Sequence, residues 1–115
     1  MVVRTHILLN AKSSSLDLLQ SKLLFEEFIL KTINDLELVQ VGAVFHGFDE
    51  GGFTCVVCLT ESHLAIHTWP EFSYYTADVY LCDYTRNNYD LTILLSNKIK
   101  EYFSSYEIKE QIISR

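Results

Sequence analysis

Glu61-Ser62-His63-Leu64-Ala65-Ile66-His67-Thr68-Trp69-Pro70-Glu71 is the stretch on which the reading of this chain turns. Its Thr68, Trp69 and Pro70 argue against a helix and for extended backbone. The eleven residues hold two histidines, a hydroxyl at Ser62, two carboxylates, the tryptophan and the only proline. If the stretch is a strand, its neighbours must supply a sheet.

They do on both sides. Residues 53–60 (FTCVVCLT) form a nearly continuous apolar run of β-type residues, which reads as a central strand. Phe48-Asp49-Glu50-Gly51-Gly52 before it reads as a loop or hairpin turn. Residues 38–46 alternate, with Val39, Val41, Ala43 and Phe45 on one face and Gln40 and His46 on the other. Downstream, Thr76 to Cys82 reads as a strand and Asp83 to Asn88 as a polar loop. Further out lie helices. Leu16, Leu19, Leu23, Leu30 and Ile33 share one side at helical spacing, widened by Leu18, Phe25 and Ile29, so one helix is expected over 15–35. Ser14 and Asp17 have the spacing of a capping box at its start. Leu91, Leu94, Leu95, Ile99 and Tyr102 predict a second helix over 88–103. Strands at 2–9 and 106–113 complete the chain.

The expected architecture is α+β: a two-layer sandwich of a mainly antiparallel sheet with two helices on one face. A length of 115 residues suits one domain spanning 1–115. Apolar residues make up 49%, enough for a core and unlike a disordered chain. The second sheet face then needs cover, which points to another copy of the chain.

Charge narrows the partners. The net charge is -6 with nine Lys and Arg, and no basic cluster stands out. Neither nucleic acid nor an anionic membrane is an expected partner. No apolar run approaches the roughly 20 residues of a spanning helix. The N-terminus lacks the apolar core and cleavage site of a secretion signal. With three cysteines, an odd number, reduced thiols in a cytoplasm are the expectation.

Several chemistries fail on spacing. Cys55 and Cys58 form a C-x-x-C inside a strand, where an odd offset sends the side chains to opposite faces. Both are expected to be buried structural cysteines. His63 and His67 share a strand face but stand about 13 Å apart at ~3.3 Å per residue. One metal, with ligands about 2 Å away, does not bridge them, and no metal site is expected. Ser62, His67 and Asp78 lack the G-x-S-x-G elbow of a hydrolase. Read from these residues alone, His67 is a hydrogen-bonded core histidine, Cys82 a buried thiol and Trp69 a core aromatic.

Taken together, Glu61-Ser62-His63, Ile66-His67-Thr68-Trp69-Pro70-Glu71, Asp78 and Cys82 resemble the prokaryotic S-adenosylmethionine decarboxylase proenzyme family. Phe45-His46-x-Phe48 and Gly52 extend the match, which covers about residues 44–82. The resemblance implies self-cleavage between Glu61 and Ser62. The Ser62 hydroxyl would attack the Glu61 carbonyl, the amide would become an ester, β-elimination would free the upstream chain, and the dehydroalanine left at residue 62 would hydrolyse, losing ammonia, to a pyruvoyl group. That covalent group would be the cofactor and would form a Schiff base with the substrate amine. His67 would transfer the proton in processing, with help from Thr54, where the family usually has serine. Cys82 would be the proton donor after decarboxylation. Phe48 would stack on adenine and Glu71 would accept from ribose hydroxyls. The implied substrate is S-adenosylmethionine, whose decarboxylated product is the aminopropyl donor for spermidine synthesis. The implied assembly is a cytoplasmic homodimer of processed protomers.

Three stretches depart from the family pattern. The family commonly has a proline before Gly52, where Glu50 stands here. Glycine usually follows Cys82, where Asp83 stands. The first strand often ends in a Gly-Cys-Asp-like turn, replaced by Asn10-Ala11-Lys12-Ser13. These are substrate-side differences. They keep open a pyruvoyl-dependent ornithine or arginine decarboxylase of the same fold, for which Glu50 or Asp83 offers a carboxylate to a second ammonium. An unprocessed, non-catalytic homologue acting as a binding or regulatory partner is the third reading.

Overall fold

The computed structural model describes residues 4–82 and 87–115. Six strands form one antiparallel sheet in the order β2-β3-β4-β5-β1-β6. They are β1 (Arg4–Ser13), β2 (Gln40–Gly47), β3 (Phe53–Leu59), β4 (His63–Trp69), β5 (Tyr74–Cys82) and β6 (Ser105–Ser114). The signature stretch is β4, which lies between β3 and β5 inside the sheet and ends in a 3-10 turn at Pro70–Phe72. The helices are α1 (Leu16–Gln20), α2 (Lys22–Asp35) and α3 (Tyr89–Tyr102).

Period-two alternation decides which face is which. Leu64, Ile66 and Thr68 of β4 are buried, as are Tyr75, Ala77, Val79 and Leu81 of β5 and Cys55 and Val57 of β3. The apolar ones form one core with Leu19, Phe25, Ile29, Leu95 and Ile99 from the helices and Phe103 just past α3. Phe25 anchors it, stacking on Phe53 at 5.1 Å and on Phe103 at 5.7 Å. The helices therefore all cover one face, giving the expected two-layer α+β sandwich. The intervening residues (His63, Ala65 and His67 on β4; Thr76, Asp78 and Tyr80 on β5) lie on the other face, which no helix among the described residues covers.

Three local expectations are corrected. The helix expected over 15–35 is two helices, broken at Ser21, whose extended backbone and side chain cap α2 by accepting from Leu24 N–H at 3.1 Å. The break resets the helical phase. Leu16 and Leu23, assigned to the apolar stripe, are exposed, while Leu19, Phe25, Ile29 and Ile33 are buried. Ser14 does not cap; its hydroxyl donates to Ser104 O at 3.2 Å. In β2 a register shift between Gln40 and Gly42 breaks the alternation. Val39 and Val41 face solvent, and only Ala43 and Phe45 pack on the core. Of the polar loop expected over Asp83 to Asn88, residues 83–86 lie outside the described residues.

Candidate active site

The β3–β4 connection is a tight hairpin. Leu59 and Ser62 face each other, with Leu59 N–H donating to Ser62 O at 2.8 Å and Ser62 N–H to Leu59 O at 3.5 Å. Only Thr60 and Glu61 lie between, so the Glu61–Ser62 peptide bond sits at the corner of the turn. Ser62 is half-buried and Glu61 exposed. The Ser62 hydroxyl oxygen accepts from Cys82 N–H at 3.0 Å. Cys82 is the last residue of β5 and is buried.

Thr54 and His67 are direct cross-strand partners in β3 and β4. Their side chains meet with Thr54 Oγ1 at 3.0 Å from His67 Nδ1. Threonine at 54 therefore keeps the contact that its hydroxyl makes available. His67 leads on to Trp69, with ring centroids 6.2 Å apart, and Trp69 to Tyr74 at 5.7 Å.

A cavity of about 400 Å³ opens past this end of β4, lined by Phe48, Asp49, Glu50, Gly51, Thr68, Trp69 and Glu71. Its loop is held by backbone bonds: Phe48 N–H to Gly52 O at 3.0 Å and Gly52 N–H to Gln20 O at 3.2 Å. Gly52 has φ +93°, and a Cβ there would lie 2.9 Å from Pro70 Cδ. Glycine lets the loop close against the turn that carries Glu71. The buried Thr68 hydroxyl accepts from Phe53 N–H at 2.9 Å and donates to Leu19 O at 2.8 Å, tying β3, β4 and α1 together.

The site residues thus fall into two groups. Ser62 and Cys82, with Glu61, are at the hairpin end of β4; Thr54, His67, Phe48 and Glu71 are toward the other. Five residue steps of extended chain take Ser62 to His67, about 16 Å at ~3.3 Å per residue. No proton passes directly between them within one chain.

Sequence reasoning placed Trp69 in the core; it is 38% exposed and lines the cavity. Thr68 stands inside the motif, but its residue type alone does not reveal that it ties three elements together. Cys55 is buried as expected, and burial, with Glu26 nearby, pushes its thiol up to about 12. Cys58 is exposed, because the same alternation that buries Cys55 turns Cys58 to the helix-free face.

Known proteins match this chain along nearly its whole length. The family described as S-adenosylmethionine decarboxylase matches residues 5–115. The S-adenosylmethionine decarboxylase proenzyme of Acetivibrio thermocellus is 31% identical over 108 residues, covering 93% of this chain and 87% of that protein. The proenzyme of the same name from Moorella thermoacetica is 35% identical over 95 residues, covering 83% and 76%. The crystal structure of the adenosylmethionine decarboxylase from Aquifex aeolicus superposes with a TM-score of 0.87 at 25% identity, covering 98% of this chain and 90% of that one. Fold and matches together define an α+β decarboxylase whose relatives are made as proenzymes. The chain belongs to the S-adenosylmethionine decarboxylase family.

Proposed function

We propose that this chain is a self-processing, pyruvoyl-dependent S-adenosylmethionine decarboxylase that acts as a homodimer in the cytoplasm. The observation that carries the reading is the bond between the Ser62 hydroxyl and Cys82 N–H within the family motif. It sets the residue to be converted beside the residue that would reprotonate the substrate.

The residues fit the group that would form at Ser62. The Glu61–Ser62 bond lies in a turn, where cutting removes no strand pairing. β3 and β4 stay joined from Thr54↔His67 to Cys58↔His63, and β4 stays paired to β5. The two fragments would remain one folded unit. Only a hydroxyl or thiol beside the bond can perform the shift, and Ser62 supplies it. A pyruvoyl group supplies an electron sink for the electrons left when the carboxylate departs.

The chain's own residues do the rest. Cys82, fixed beside residue 62, delivers the proton to the product carbon; a positioned acid of this kind contributes about 10²–10⁴-fold. The Thr54–His67 pair handles the α-proton in processing. Since about 16 Å separates it from Ser62 within a chain, it must serve the Ser62–Cys82 pair of a second copy. Packing the two helix-free faces together brings such pairs to one site and covers Val44 and Val56, both exposed here. Phe48 and Trp69 offer aromatic faces to adenine and to a sulfonium cation. Glu71 accepts from ribose hydroxyls.

Asp49 and Glu50 stand with Glu71 around the cavity. Three carboxylates suit a sulfonium and also a second ammonium, so ornithine or arginine is the competing substrate class. Carbon dioxide release from purified protein given each of the three compounds decides between them. S-adenosylmethionine turned over at least 100-fold faster in kcat/KM is the expected result. Turnover chiefly of ornithine or arginine would overturn the substrate assignment.

A further inference from the structure

Asn88 stands at the N-cap position of α3, where an asparagine side chain ordinarily accepts from an N–H of the first helical turn. Here it makes no such bond. Its amide Nδ2 instead donates to Cys82 O at 2.7 Å, inside the protein, with the residue 7% exposed. Cys82 is therefore held on both sides of its Cα. Its carbonyl is fixed by Asn88, and its N–H is fixed by the Ser62 hydroxyl at 3.0 Å. Two backbone anchors hold both soft dihedrals of Cys82 and with them the direction of the Cα–Cβ bond that carries the thiol. The anchor is itself rigid. Asn88 O accepts from Thr92 N–H at 2.8 Å and from the Thr92 hydroxyl at 2.6 Å, so the residue is seated on α3. α3 in turn is pinned into the core by Leu95 and Ile99.

We propose that Asn88 is a positioning residue of the decarboxylase: its side-chain amide, turned from capping α3 to the Cys82 carbonyl, aims the Cys82 thiol and N–H at residue 62. The proposal rests on the function proposed above. It explains why a helix start adjoins the end of β5, and why a buried amide is used where a shorter cap would serve the helix alone.

The chemistry of capping provides a clean test. Aspartate and serine are good N-caps, and aspartate also suits the helix dipole. As a carboxylate, the N88D side chain has no proton to donate to the Cys82 carbonyl; the N88S hydroxyl is too short to reach it. Both variants keep the means to stabilise α3 while removing the bond in question. Self-processing is followed by intact mass under denaturing conditions, kcat and KM on the processed protein, and Tm by calorimetry. Expected are Tm within about 2 °C of the wild type or above it, processing at least tenfold slower, and kcat at least tenfold lower with KM within twofold. The cavity at Phe48 and Glu71 is not touched, so binding is left alone. Processing and kcat within twofold of wild type in either variant overturn the proposal. So does a Tm fall in both variants whose activity loss disappears on cooling, which would make Asn88 a structural residue only. A wild-type chain that never cleaves overturns the function itself, and is told apart because the control fails along with the variants.

Discussion

Cys82 and Ser62 are linked by a single hydrogen bond, and the two roles assigned to them separate by mutation. A Cys82→Ala chain keeps the backbone N–H that Ser62 accepts from, so fragments 1–61 and 62–115 are expected to form. Decarboxylation should fall at least about 100-fold for want of the proton donor; carbon dioxide release measures it. His6, on the helix-free face, illustrates a titration instead. Its Nε2 is buried without a hydrogen-bond partner among the described residues, and its ring lies 6.2 Å from that of His63 and 5.5 Å from that of Tyr80. Burial lowers its pKa, Asp78 opposes that, and Arg115 and His63 add to it. A histidine whose native pKa lies below its unfolded value contributes stability above about pH 6.5, lost as pH falls through the native value. His6→Asn should therefore flatten the acid-side fall in Tm between pH 7 and 5; an unchanged slope would remove His6 from the account. At this scale, residue type and spacing were informative wherever alternation held. Opposite faces for Cys55 and Cys58 were legible, but burial of Cys58 did not follow, because one face of the sheet carries no helix.

β4 was readable as an element because proline, tryptophan and threonine leave it little alternative to extended backbone. The break at Ser21 was not. Leucine and phenylalanine run through it without a glycine or proline, and only the three-dimensional course of the chain turns α1 away from α2. The cap is testable: Ser21→Ala should cost about 1 kcal/mol, read as a shift in the urea midpoint. The bulge in β2 was equally hidden, since Val39, Val41, Ala43 and Phe45 alternate without fault in the sequence. Thr68 joins three elements at one hydroxyl. Thr68→Val keeps the shape but leaves the Phe53 N–H and Leu19 carbonyl without that partner, which should cost about 1–3 kcal/mol. Since Thr68 also lines the cavity, KM should rise in step. A stability within 0.5 kcal/mol of wild type would contradict the role given to it.

For the molecule as a whole, one face is a packed core and the other would carry the proposed chemistry in two separated halves. That division has a direct consequence for mixed assemblies. A His67→Ala chain retains Ser62, and a Ser62→Ala chain retains His67. If one site draws on two copies, co-expressing the two variants should restore cleavage of the His67→Ala chain to a substantial fraction of wild type. If each site lies within one chain, the mixture stays uncleaved. The proposed pairing of halves is not legible in the sequence, because motif residues adjacent along a strand give no hint that they would serve different sites. The central claim is the conversion of Ser62, and intact mass of the purified chain under denaturing conditions, beside Ser62→Ala, tests it most directly. Two fragments, 1–61 and 62–115, with the second blocked at its N-terminus, are predicted for the wild type and neither for the variant. A single 13.3 kDa species after long incubation would contradict the account.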